Sequence, residues 1–223
     1  MFKKLLLASA MLVAAAGASA QSSTVGVGGT ISPSGCTISL TGSGISDYGS
    51  LVKSTVTGYA VNAGTTPSYT MGSKTVGLNV TCASPTKLEL AFVDNKATQI
   101  MPIDANDASR FGIANGSGTT PFGSYWLTGN ALTINGVAPA VYLTSATGTT
   151  AWSTSGPNST TANNFSSGYA TGFSSVATDK VPAAVTTIGG SLTTWAFLNK
   201  SMVDASTGVL TLNGSTTISL QYL

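Results

Sequence analysis

The sequence predicts an all-β fold, a sandwich or barrel of short strands. Apolar residues alternate with small or polar ones at a period of two, in runs bounded by Gly, Asn, Ser and Pro. No window carries the 3.6-residue apolar period of an amphipathic helix. The chain holds only two cysteines, Cys36 and Cys82, and no histidine. In an oxidising compartment such a pair reads as one disulfide rather than a metal or redox site.

The elements follow in order. Residues 1–20 read as a secretion signal: Lys3 and Lys4 precede an apolar run from Leu5 to Ala16, and Ala18-Ser19-Ala20 supplies a small-x-small cleavage pattern. The run is too short for a membrane span. Residues 23–36, STVGVGGTISPSGC, alternate like a strand but carry too many glycines to fold alone. Val25, Val27, Gly29 and Ile31 share one face of that segment. Thr37–Leu40, Val76–Cys82 and Leu88–Phe92 alternate next, the last two separated by a turn expected at Ser84-Pro85. Later runs are Leu132–Ile134, Val141–Leu143, Trp195–Phe197, Val209–Leu212 and Thr217–Tyr222. Asn213-Gly214, lying between the final two, reads as a type I′ hairpin turn. Residues 144–175 read as a Ser/Thr/Gly/Asn-rich surface excursion whose aromatics Trp152, Phe165, Tyr169 and Phe173 either pin it to the sandwich or form a displayed binding surface.

Composition excludes several functions. Without Lys3 and Lys4 the nine Lys and Arg fall to seven, matching the seven Asp and Glu, so the exported part has no electropositive surface for nucleic acid. Only 7% of residues are charged, leaving little repulsion between molecules, which suits a protein that assembles. Lack of histidine removes Ser-His-Asp and Cys-His catalysis, and the expectation is that the protein is not an enzyme and uses no cofactor. Asp104-Ala-Asn106-Asp107 lacks the glycine and glutamate of a calcium loop and reads as a polar turn. GVGGTI at 26–31 has no strand before it and no helix after it to hold a phosphate.

Several motifs stand in a familiar order: VGVGGTIS (25–32), GCTISL (35–40), ISDYGSL (45–51), KTVGLNVTCASPTKLELAF (74–92), RFGIA (110–114) and a C-terminal strand with penultimate Tyr222. In this order they resemble a subunit of chaperone–usher pili, over nearly the whole exported chain, and more narrowly a poorly characterised branch of fimbrial-like proteins. Where that family usually has a glycine near its last strand, this chain has Leu210. ISDYGSL corresponds to the family's short strand after the first cysteine.

The resemblance implies an immunoglobulin-like sandwich lacking its last strand. Residues 21–35 would form a donor-strand extension and 36–223 the sandwich, with a loop-rich insertion around 104–180. The donor strand, through Val25, Val27, Gly29 and Ile31, would complete a neighbouring subunit. Ile218, Leu220 and Tyr222 would form one groove wall and the contact for a periplasmic chaperone. The implied partners are neighbouring fimbrial subunits, that chaperone and an outer-membrane usher, with a surface or host receptor for the finished fibre. The implied location is the periplasm in transit and then the cell surface. A competing reading is a fimbrial adhesin or a secreted carbohydrate-binding sandwich stacking sugar on Trp126, Trp152 or Tyr169.

Overall fold

In the computed structural model, residues 35–49, 51–57, 60–61, 67–101, 109–116, 120–154 and 164–223 are described. The signal segment, the donor residues Val25, Val27, Gly29 and Ile31, and the polar turn at 104–107 lie outside them.

The fold is an all-β, antiparallel immunoglobulin-like sandwich built around one very long strand. In chain order the strands are β1 (Cys36–Leu40), β2 (Ala60–Val61), β3 (Ser68–Asp94), β4 (Arg110–Asn115), β5 (Pro121–Ile134), β6 (Val141–Ala146), β7 (Asn164–Phe165), β8 (Tyr169–Ser174), β9 (Ala184–Asn199), β10 (Leu212–Gly214) and β11 (Thr216–Tyr222). Two short helices, α1 (Lys53–Thr57) and α2 (Lys200–Ala205), pack at one end. Asn199 caps α2 by accepting the Met202 N–H.

The first half of β3 lies between β1 and β9, and the sheet continues through β5 and β4 to β10. The second half lies between β11 and β8, with β6 beyond. Between them the pairing of β3 with β9 slips from Thr81 to Thr86. The turn expected at Ser84-Pro85 is therefore an irregularity inside a continuous strand: Pro85 cannot donate to the ladder, and the strand passes from one layer to the other there.

Alternation buries one face of each layer. Val76, Leu78 and Val80 from the first half of β3 join Leu88, Leu90 and Phe92 from the second in one core, with Phe111, Ile188, Leu192 and Leu198. Phe165 stacks on Phe92 with ring centroids 4.2 Å apart, and Phe173 is also buried. The described part of 144–175 thus belongs to the sandwich, contributing half of β6 and all of β7 and β8, with two of its aromatics in the core. Residues 104–180, expected to be loop-rich, carry β4 to β8.

Two further expectations are corrected. Asn213-Gly214 is no hairpin turn: both residues lie in β10, which pairs with β4, whereas β11 pairs with β3. Glycine is needed at 214 because a Cβ there would stand 2.8 Å from a ring carbon of Tyr125. The two-residue turn of this type is at Asn135-Gly136, where both residues have positive φ and Ile134 and Val137 exchange main-chain hydrogen bonds. The described residues of ISDYGSL form no strand; Gly49 turns at φ 69° and Leu51 makes a single bridge to Leu210. Leu210 is buried in the core, which explains an apolar residue where the resembling family has glycine.

Candidate strand-accepting cleft

The disulfide Cys36–Cys82 joins β1 to β3 at directly opposed positions, with Cα atoms 4.0 Å apart. The main-chain phase of β1 follows from its neighbour. Ala83 donates its N–H to the Gly35 carbonyl, making 35 and 83 a hydrogen-bonded pair, so 36 and 82 are a non-hydrogen-bonded pair. By the same alternation Ile38 and Leu40 turn their N–H and C=O groups away from β3.

β11 repeats this on the other layer. Asn95 N–H bonds the Ser215 carbonyl at one end of its ladder, and Leu223 N–H bonds the Lys87 carbonyl at the other. Thr216, Ile218, Leu220 and Tyr222 are thus the non-hydrogen-bonded positions, and their main-chain groups also point away from β3. Among the described residues, neither β1 nor β11 has a second strand neighbour.

These two free edges flank one cleft of about 370 Å³. Leu40, Ile45 and Tyr48 line it on one side and Leu212, Thr216 and Ile218 on the other; Val76, Ile113, Tyr125, Leu127, Leu192 and Ala196 form its floor. It continues as a shallower depression between Ile38 and Ile218. Among the described residues, no charged side chain lines either part. Ile38, Leu40, Ile218 and Leu220 are half-buried against the core, and Ile45 is 66% exposed at the rim.

The polar atoms of the cleft are mostly satisfied from within. The Tyr48 hydroxyl lies 3.1 Å from the Thr194 carbonyl and 3.0 Å from its side-chain oxygen, and Tyr125 shares a hydrogen bond with Thr216. Burial pushes the pKa of both phenols up, so they stay neutral hydroxyls. Among the described residues, the outward-facing main-chain groups of Ile38, Leu40, Ile218 and Leu220 meet no further strand, and they stand above an apolar floor. Such a site is chemically suited to an extended peptide that alternates apolar residues.

Of the residues expected to form a groove wall, Ile218 lines the cleft, Leu220 lies on the same edge, and Tyr222 stands at its end. There its hydroxyl accepts the Cys36 N–H at 3.0 Å. The floor residues of β5 and β9 were not anticipated. Their alternation, Tyr125-x-Leu127 and Leu192-x-Thr194-x-Ala196, is visible in the sequence, but not which layer edge it underlies.

The aromatics of the sugar-binding reading lie on separate elements. Trp126 on β5 has its ring face covered by the Arg110 guanidinium at 4.2 Å and meets Phe197 edge-on. Trp152 approaches Gly172 and Tyr169 starts β8. Among the described residues no helix is long and apolar enough to cross a membrane.

Residues 25–125 match a family model described as a protein of unknown function (DUF1120). No curated protein is matched by the chain.

Proposed function

We propose that the protein is an exported structural subunit of a cell-surface fimbria that polymerises by strand exchange. The observation that carries this is the pair of free main-chain edges, β1 and β11, facing one uncharged cleft over the core. An edge of this kind invites non-specific pairing unless something covers it. The occupant is the segment 23–32 of a neighbouring subunit, whose Val25, Val27 and Ile31 fall on one face at the spacing an apolar floor requires. Burying each contributes about 1.5–3 kcal/mol, and each main-chain hydrogen bond adds about 1 kcal/mol net.

Donor segment and cleft are different surfaces, so the contact is head-to-tail and propagates as a fibre. Before assembly a periplasmic chaperone covers the edges, and an outer-membrane usher exchanges that cover for the next subunit. The near-absence of charge over the exported chain agrees with a protein made to self-associate.

Deleting residues 22–32 tests the reading. The variant should remain a folded, chaperone-bound subunit with an intact cleft, and should form no fibre by electron microscopy of surface-sheared material. Normal fibres from it would overturn the proposal.

A further inference from the structure

The two walls of the cleft are tied together at one end. Cys36 is the first residue of β1, and in its non-hydrogen-bonded phase the N–H points towards the cleft edge. It donates to the hydroxyl of Tyr222 at 3.0 Å. Tyr222 pairs with Leu88 at the last rung of β11, beside the bend of β3, where β1 begins. Ile218 and Leu220, on the same edge, pack against the core; Tyr222 remains 45% exposed.

Cys36, the first residue of β1, lies at this tied end, so the segment 23–32 is joined to the domain through a residue bonded to Tyr222. A segment able to fill a neighbour's cleft has the side chains to fill its own. Its tether is short, which gives an effective concentration in the millimolar range. To do so it must reverse over residues 32–35 and run back along β1 as a hairpin, and the first main-chain donor on that edge is the Cys36 N–H. A segment from a second copy needs no reversal there.

We propose that Tyr222 is an end-stop of the cleft: by holding the Cys36 N–H, its hydroxyl closes the end at which the chain's own segment 23–32 would fold back, and so favours donation between copies over self-insertion. This rests on the reading of the cleft as a strand acceptor. Tyr222 is here a positioning residue that acts through the β1 edge.

The test is amide hydrogen exchange on the exported chain, purified as a monomer, comparing wild type with Tyr222→Phe, which keeps the ring and removes the acceptor. A synthetic peptide of residues 23–32 is titrated into both. Wild type should exchange the amides of 23–31 without protection and bind the peptide. Tyr222→Phe should protect those amides at least tenfold, independently of protein concentration, and bind the peptide at least tenfold more weakly. Equal protection and equal peptide affinity in the two proteins would remove the role of Tyr222 while leaving the strand-acceptor reading intact. A wild-type chain that binds no peptide would overturn both. Tyr222→Phe should unfold at a temperature no lower than wild type, because self-insertion adds a strand to the folded state, and a large drop would mark the bond as merely structural.

Discussion

The seam β3–β9–β5 and the flank formed by β1 and β11 are built in opposite ways. Along the seam, β9 has a strand on each side: Ile188 is opposed by Val80 on β3 and by Ile134 on β5, and is fully buried. A bulge at Asn130–Thr133 is absorbed by Gly190, whose φ of 135° suits glycine and where a Cβ would meet the Ala131 carbonyl at 2.8 Å. On the flank, among the described residues, five- and seven-residue strands each pair with β3 alone, with half-buried apolar side chains. The difference teaches where the stability of this sandwich resides: in the long strands, so that the flank can open without the domain unfolding.

The disulfide is the one covalent link between flank and seam, and removing it should have the largest effect. Chain entropy for a separation of 46 residues corresponds to about 4 kcal/mol. Cys36→Ser with Cys82→Ser should lower the urea midpoint accordingly and speed amide exchange across β1 before it does so in β9. Equal loss of protection in both strands would show that flank and seam are a single cooperative unit.

Ile188→Ala should cost about 2–5 kcal/mol, because the site is hemmed in on both sides and cannot collapse. Leu40→Ala, on the flank, should cost about 1 kcal/mol of stability, since its side chain is only partly removed from water. Its larger consequence should be at least tenfold weaker binding of the 23–32 peptide. A Leu40→Ala protein as unstable as Ile188→Ala would erase the distinction between the regions.

The smallest effect concerns pH. Glu89, on β3 opposite Gln221 of β11, is 2% exposed, and among the described residues one of its carboxylate oxygens has no hydrogen-bond partner. Burial pushes its pKa up. Burial also raises Asp94, against the N–H groups of Lys96 and Gly112, which bond its carboxylate. A carboxyl whose folded pKa exceeds its unfolded value contributes stability below the unfolded pKa and loses it as pH rises through the folded one. The domain should therefore gain stability on mild acidification from neutral pH, and Glu89→Gln should flatten that rise. An identical pH profile in the variant would remove Glu89 as its source.

The period-two pattern made the strands themselves legible, because one face of each is buried and the other is not. The disulfide was legible from a single cysteine pair. Turn chemistry was less so. The same dipeptide, Asn-Gly, closes a hairpin at 135–136 and lies flat in a strand at 213–214, where the Tyr125 ring occupies the space a side chain would need. Local sequence cannot distinguish a glycine required by φ from one required by a neighbour 89 residues away in the chain. The cleft was half legible. Ile218 and Leu220 stood out by alternation, but Tyr48, in a segment expected to be a strand, acts through a hydroxyl bond to Thr194 on β9. That contact is long-range and leaves no periodic trace. Phe165 and Phe173 look exposed amid serines and glycines, yet packing against Phe92 and Tyr142 buries them.

Amide exchange at Ile38, Leu40, Ile218 and Leu220, with and without the 23–32 peptide, interrogates both cleft edges at once. Fast exchange at all four positions in the free monomer of residues 21–223, becoming slow in each when the peptide binds, is the predicted result. Slow exchange before any peptide is added, or no change at saturating peptide, would contradict a sandwich that waits for its missing strand.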